Sequence, residues 1–454
     1  MNDSCTEVVL SEWTCATPDT HPELRGLSFD DHPRAREAAR RLADRDRVDI
    51  LELRSGLSIE TNSHVGTIRL GPVRIAIRPK IRGGRLLRLL RYAFGLRDLG
   101  LVAEVDDALL ERLEFQDVLI LQLESEAEEL IRRGLRRQHV PVDEWRADPR
   151  GRLVFAALAR SGRPGETRLP CHHFDRSADT VLNRVLLAGL RTATGLAQDP
   201  VLAGRVRHLS GLLQDQVAPI RLDDAVLGRC RHGMDRLTRA YEPAIRLIEA
   251  LLDKQGATPE GQVSDVPLAG FLFDMNTFFE RLLDRFLSEN LPDCEVRLQH
   301  RLTEMFLWEI SESRTRRRPP SPRPDYVVIP RARPGRLAVL DAKYRDLGTT
   351  SLPREMLYQL AMYSFCHGAG NHSTILYPSM REPTPGTVAE ERLLIRDPVT
   401  GNEISQLTLR GVPIPRLAEL VVDRFGERAV ERERQALARA LAFGQEAGLR
   451  MIPA

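Results

Sequence analysis

Asp325, Asp341 and Lys343 are the residues of this 454-residue chain whose types and spacing could do chemistry together. They lie in RPDYVVIPRARPGRLAVLDAKYR, residues 323–345. Asp325 opens the β-type run Tyr326–Ile329, Pro330 to Gly335 break it, and Leu337–Leu340 restart it. An antiparallel pair formed this way brings Asp325 and Asp341 together. Lys343, two residues past Asp341, then points to the same face, because strand side chains alternate. Two carboxylates select a hard cation, Mg²⁺ or alternatively Mn²⁺, and the Ala342 carbonyl could add another oxygen. Such an ion would lower the pKa of a bound water and offset charge on a phosphate. Lys343 would hold or help deprotonate that water and steady the phosphoryl oxygens. The bland alternative is a surface Asp–Lys pair at a strand end. Lysine bias weighs against it: arginine carries nearly all the positive charge, and Lys80, Lys254 and Lys343 are the only lysines. A lysine kept in such a chain offers a point charge with an accessible pKa.

Particular elements must position these groups. Asp274 caps a helix whose core face is Met275, Phe278, Phe279, Leu282, Leu283, Phe286 and Leu287. Glu280 stands at the edge of that face, as a salt-bridge partner or an outer metal ligand. Cys294–Leu298 and Met305–Glu309 read as strands ahead of the Asp325 stretch. Pro353 opens a second helix, packed through Met356, Leu357, Leu360, Ala361 and Ser364, with Gln359 and Tyr363 sharing another face. Thr374–Tyr377 is a short buried strand. Strands near Leu393–Ile395 and Ile404–Leu409 follow, then a helix over about Arg416–Phe443 with a break near Gly426. The basic, Pro-rich RTRRRPPSPR, residues 314–323, directly precedes Asp325. A solvated loop is its ordinary reading, but its place makes Arg316, Arg317, Arg318 and Arg323 candidate phosphate contacts, with Tyr363 a further candidate DNA contact.

The rest of the chain is less chemical. A hydrophobic content of 42% supports real cores, and a net charge of +2 supplies no global field for nucleic acid. Six scattered cysteines without a C-x-x-C pair fit reduced thiols, and the N-terminus lacks a signal peptide, so a cytoplasmic location is expected. Cys171-His172-His173 has no second ligand cluster nearby and reads as a chance loop triplet. Arg34–Arg45 is helix-like, and from Val48 short alternating strands with tight turns predict a small barrel or curled sheet. The Leu-rich helix after Lys80 ends near Gly95. Asp106–Gln138 reads as one long helical stretch with room for a single break, and further helices follow over about 177–194, 201–213 and 234–252. Lys254–Ser264 is the best boundary. An α+β multidomain chain is therefore expected: a β-barrel-like domain at about 1–105, a mainly helical region at about 106–262, and an α/β domain at about 263–454.

The helix glutamate, P-D and D-x-K order resembles the PD-(D/E)xK restriction-endonuclease-like fold. More narrowly, Phe271–Asn276 leading to Phe279-Glu280, Arg323-Pro324-Asp325, Leu340–Tyr344, Tyr358-Gln359 to Tyr363 and Leu376-Tyr377-Pro378 resemble the McrC family. Gly66-Thr67-Ile68, Ile77–Ile81 and Thr180–Arg184 resemble its N-terminal half. The likeness runs over about residues 48–378. It implies an Mg²⁺-dependent nuclease subunit of a GTP-dependent system that cuts double-stranded DNA bearing 5-methylcytosine. Asp325 and Asp341 would bind the metal, Lys343 would serve the water, and Glu280 and Gln359 would support the site. The family's partner is a hexameric AAA+ GTPase, McrB, into which the N-terminal domain docks and whose hydrolysis it stimulates. No G-x-x-x-x-G-K-[ST] loop occurs here, so GTP would sit on that partner. Arg54, Asn62, Arg69 and Arg78 are candidates for reaching the GTPase site. Two alternatives remain: a non-catalytic adaptor that activates the motor, and a nuclease of the same fold with a different motor and DNA mark.

Overall fold

In the strand Gly56–Thr61 the side chains Leu57 and Ile59 are buried between more open neighbours, and the chain turns tightly into it from Val48–Leu53 at Gly56. Gly56 is required there: its φ is +143°, and a Cβ would sit 2.0 Å from the Leu24 carbonyl oxygen. The strands are β3 (Val48–Leu53), β4 (Gly56–Thr61), β5 (His64–Leu70) and β6 (Val73–Arg78). The computed structural model describes residues 5–96, 113–161, 167–252, 269–303, 305–306, 319, 321–333, 335, 337–345, 347–348, 352–365, 370, 372–381, 388–422 and 428–444. It divides into two compact units, Met1–Arg112 with Leu272–Ala454, and Leu113–Phe271. The sequence suggested three consecutive domains; here the two end segments share one unit.

The expected barrel is instead two sheets. β2 (Cys15–Ala16) joins β4 and β3, whereas β1 (Thr6–Ser11) pairs in parallel with β6 in the order β1-β6-β5-β10, β10 being Ala269–Asp274. The split occurs at Thr61. Its buried hydroxyl accepts from Thr14 N at 2.8 Å and lies 2.8 Å from Ser11 O, tying the end of β4 to the β1–β2 connection. Asn62 then turns the chain: its Oδ1 accepts from His64 N at 3.0 Å and lies 2.8 Å from His64 Nδ1. Asn62 is thus occupied by a turn. α1 (Pro33–Asp44) and α2 (Gly83–Phe94) complete this region, α2 ending at Gly95 with φ 64°.

The second large sheet of this unit runs β11-β12-β13-β14-β16-β15. Its strands are β11 (Cys294–Leu298), β12 (Tyr326–Pro330), β13 (Ala338–Ala342), β14 (His372–Ser379), β15 (Ala389–Arg396) and β16 (Glu403–Pro413). β12 and β13 are antiparallel, β13, β14 and β16 parallel. Central β13 and β14 are buried along most of their length, as expected of inner strands covered on both faces. α9 (Met275–Asn290) buries the whole expected apolar stripe, and Asp274 caps it through Oδ1 to Asn276 N at 2.9 Å. Each such buried Leu or Phe contributes about 1.5–3 kcal/mol. α10 (Arg354–Ser364) lies on β14. The closing helix is two helices, α11 (Ile414–Leu420) and α12 (Arg428–Phe443), and the expected break at Gly426 lies outside the described residues. Residues 307–309 of the expected strand Met305–Glu309, and the boundary Lys254–Ser264, also lie outside them.

The other unit holds α3 (Phe115–Arg133), α5 (Val181–Leu196), α6 (Pro200–Gln214), α7 (Asp224–His232) and α8 (Glu242–Leu252). It also holds a sheet in the order β7-β9-β8, with α4 (Phe155–Ser161) after β8. The long helix read to Gln138 ends at Gly134, φ 91°, and β7 (Gln138–Arg146) begins. Cys171-His172-His173 lies on β9 (Leu169–Ser177), not in a loop, and β8 (Arg152–Leu153) pairs with it there. His172 Nδ1 is 2.6 Å from Asp143 Oδ1 across the sheet.

Asn183 is this unit's polar hub. It is fully buried; Nδ2 donates to Ala178 O at 2.6 Å and Arg136 O at 2.9 Å, and Oδ1 accepts from Tyr241 Oη at 2.7 Å. Asn183→Ala removes the hydrogen-bond partner of Ala178 O, of Arg136 O and of the Tyr241 hydroxyl. The expected loss is roughly 3 kcal/mol of unfolding free energy, read by urea denaturation; a change below about 0.5 kcal/mol would show the hub to be dispensable.

Candidate active site

Antiparallel pairing of Tyr326 with Leu340 sets the last residue before β12, Asp325, beside the end of β13, where Asp341 lies. Asp325 is 8% exposed and Asp341 1%. Asp325 Oδ2 accepts from Ala342 N at 2.8 Å, and Oδ1 accepts from Gln299 Nε2 at 2.7 Å. Lys343 N donates to Leu376 O at 2.9 Å, carrying the β13–β14 pairing past the strand end. Its ammonium reaches back to Asp341 Oδ2 at 2.8 Å. That oxygen is buried and, apart from this ion pair, has no hydrogen-bond donor in line with it.

Electrostatics follow from the crowding of acids. Burial, then the neighbouring Asp325 carboxylate, push Asp341 up to about 6. Burial and Asp325 also push Glu280 on α9 up to about 7. For Lys343, burial pulls toward neutrality, but Asp341, Asp325 and Glu280 outweigh it and its pKa is raised. Lys343 is therefore an ammonium at neutral pH, suited to hold a water or a phosphoryl oxygen rather than to take a proton.

The sequence candidates divide clearly. Asp325, Asp341, Ala342 and Lys343 converge, and Glu280 faces them electrostatically. Among the described residues no group of three His, Cys, Asp or Glu side chains that could hold a metal is found. Glu280 is coupled to Asp325, Lys343 and Asp341 by charge, and its backbone is fixed by Tyr326, whose Oη donates to Glu280 O at 2.9 Å. Gln359, exposed on α10, donates from Nε2 to Tyr363 Oη at 2.7 Å. Tyr363 is 2% exposed and packs with Val339, Leu347 and Ile375, which corrects its reading as a DNA contact: α10 turns that face onto β14. Arg323 is exposed, but its Nε donates to Gln299 O at 2.8 Å, so it braces the loop before Asp325. Arg316, Arg317 and Arg318 lie outside the described residues.

Two acids' neighbours escaped the sequence reading. Gln299, in a left-handed conformation with φ 47°, donates through its backbone to Asp325 O at 2.8 Å as well as through its side chain. Only its place just after β11 could have signalled it. Asp284, one helical turn from Glu280, is pushed by burial up to about 6 and lies beside the Tyr326 hydroxyl; the i, i+4 spacing was its available signal.

Among the described residues no helix is long and apolar enough to cross a membrane. In structure, the chain is similar to one in a refined half-complex from a tetradecameric assembly of Thermococcus gammatolerans McrB AAA+ hexamers with bound McrC. The TM-score is 0.61 at 20% identity, covering 95% of this chain and 99% of that one. A chain from the cryo-EM structure of the Thermococcus gammatolerans McrBC complex aligns with a TM-score of 0.46 at 21% identity, over 63% of this chain and 88% of that one. No curated protein matches. The profile of the McrBC 5-methylcytosine restriction system components matches residues 59–378. Spanning most of the sequence, that match places the chain in the McrBC restriction system component family, in agreement with the McrC resemblance of its motifs.

Proposed function

We propose that this chain is the Mg²⁺-dependent endonuclease subunit of a GTP-dependent, modified-cytosine-specific restriction system. It cuts DNA phosphodiesters when engaged by an AAA+ GTPase whose hydrolysis it stimulates. The observation that carries this reading is the convergence of Asp325, Asp341 and Lys343 at adjoining strand ends, the arrangement expected of a PD-(D/E)xK core. Mg²⁺ fits the donors: it keeps several waters and is commonly held by one or two carboxylates. The buried Asp341 oxygen and the raised acid pKa values both favour an added cation. Asp325 and Asp341 would hold it, and when bound it would supply Lewis-acid polarisation and a water of lowered pKa. Lys343 would orient the attacking water and stabilise charge on the phosphoryl oxygens, and Asp341 aims its ammonium. Gln299 keeps the Asp325 carboxylate turned toward this centre.

The test mixes the purified protein with its AAA+ partner, Mg²⁺ and GTP, and compares cytosine-methylated with unmethylated plasmid. Cleavage confined to methylated DNA and GTP is expected. Cutting of both plasmids would keep the nuclease and remove the methyl dependence. Faster GTP hydrolysis without cutting would make the chain an adaptor.

A further inference from the structure

Immediately after Lys343 comes a tyrosine whose polar groups are gripped from outside its own strand. Tyr344 N donates to Asn276 Oδ1 at 3.2 Å, and Tyr344 O accepts from the Trp13 indole at 3.1 Å. Its hydroxyl donates to Glu12 Oε1 at 3.0 Å, across 332 positions of sequence. The ring packs edge-on against Phe279, next to Glu280, with centroids 5.9 Å apart. The Lys343 backbone is held by N to Leu376 O and O from Arg345 N, both at 2.9 Å, and its ammonium by the Asp341 carboxylate at 2.8 Å. The backbone from which that side chain springs adjoins Tyr344, so what fixes Tyr344 limits where the ammonium can start from.

The gripping residues are themselves constrained. Glu12 follows β1 and is 1% exposed; Oε1 also accepts from Lys80 N at 2.8 Å, whereas Oε2 is buried without a hydrogen-bond partner. A residue placed only for packing would be apolar, because a buried carboxyl with an unsatisfied oxygen is costly. Trp13 takes φ 59°, a conformation a bulky residue adopts only when its surroundings impose it. The Arg345 guanidinium stacks 4.9 Å from the Trp13 ring centre. Beside these residues lies a cavity of about 260 Å³ lined by Glu12, Trp13, Lys80, Tyr344, Arg345 and Tyr377, among others.

We propose that Glu12 and Trp13 are positioning residues for the nuclease site: by clamping Tyr344 they aim Lys343 at the scissile phosphate. The proposal rests on the assignment of Lys343 above. It ties the first strand of the chain to the chemistry, so that the N-terminal segment is a working part of the site.

The experiment uses the full chain with its AAA+ partner, Mg²⁺ and GTP, and measures kcat and KM for DNA cleavage. Tyr344→Phe, which deletes one oxygen, and Glu12→Ala are each expected to lower kcat about ten- to a hundred-fold with KM unchanged. Glu12→Gln keeps an acceptor for the phenol and should stay within a few-fold of wild type. The double variant Glu12→Ala/Tyr344→Phe should be no slower than the worse single one, since both break one bond. Wild-type kcat in Tyr344→Phe, or losses that multiply in the double variant, would overturn the proposal. Should Glu12→Ala fail to fold, Tyr344→Phe decides alone. Lys343→Ala run alongside separates the two levels: if it cleaves normally, the site assignment itself falls; if it is inert while Tyr344→Phe is fully active, only the clamp falls.

Discussion

With Lys343 replaced by alanine, cleavage is expected to drop by about a hundred- to ten-thousand-fold while the fold persists. Among the described residues the ammonium is the one cation paired with Asp341, and its side chain remains 27% exposed, so truncation opens no cavity in a core. What disappears is the charge proposed to hold water and phosphoryl oxygen. Asp341, already pushed up to about 6, can take a proton in the metal-free protein, which limits any structural cost. Lys343→Arg should not restore the rate, because a planar fork cannot act as the compact point charge this position provides. Initial rates on methylated plasmid with partner, Mg²⁺ and GTP decide the matter. A rate within ten-fold of wild type would remove Lys343 from the mechanism.

The second large effect concerns stability without metal. A carboxyl whose folded pKa is raised binds its proton more tightly in the folded state, so it favours folding in acid. That advantage is lost as pH rises from the unfolded value, near 4, through the folded one. For Asp341 the window runs from about 4 to about 6, with Glu280 acting in the same direction up to about 7. One pKa unit is about 1.4 kcal/mol, so at pH 8 Asp341→Asn should stabilise the EDTA-treated protein by roughly 3 kcal/mol. Near pH 4 the difference should vanish. Glu12, also raised to about 7, adds to the pH response of both proteins and cancels in the comparison. Mg²⁺ should stabilise the wild type at pH 8 and have little effect on the variant. Urea denaturation at several pH values would show it; an asparagine variant no more stable than wild type at pH 8 would mean that the acids do not strain the fold.

Local signals made much of the site legible. Asp325, Asp341 and Lys343 could be placed together because a short antiparallel pair and the two-residue alternation fix their faces within twenty residues of sequence. α9 was legible for a similar reason: its cap and apolar spacing are local. Gln299 was not, since a residue in the left-handed region after a strand carries no periodic mark. The barrel expectation failed because the Val48–Arg78 strands show alternation but not partners. The parallel β1–β6 pair and the staple at Thr61 come from residues in the first turn of the chain. β7 escaped because Pro141 and the charged residues around it mask a strand whose faces are both half open. Tyr363 misled through its spacing from Gln359: i, i+4 fixes a common side of the helix, but not how deeply each residue is buried.

The order β1-β6-β5-β10 has a further consequence, in time rather than space. β5 lies between β6, made directly after it, and β10, which leaves the ribosome only at the end of Leu113–Phe271. Until then the outer edge of β5 is an unpaired template, open to a wrong partner. Ser63 likewise waits for Asp274, and Glu12 for Tyr344. During synthesis the intervening unit has its whole sequence available before its host can close. Long sequence separations of this kind make closure slow. The N-terminal segment must therefore survive a long interval as an incomplete sheet before the acids at the far end are ever assembled.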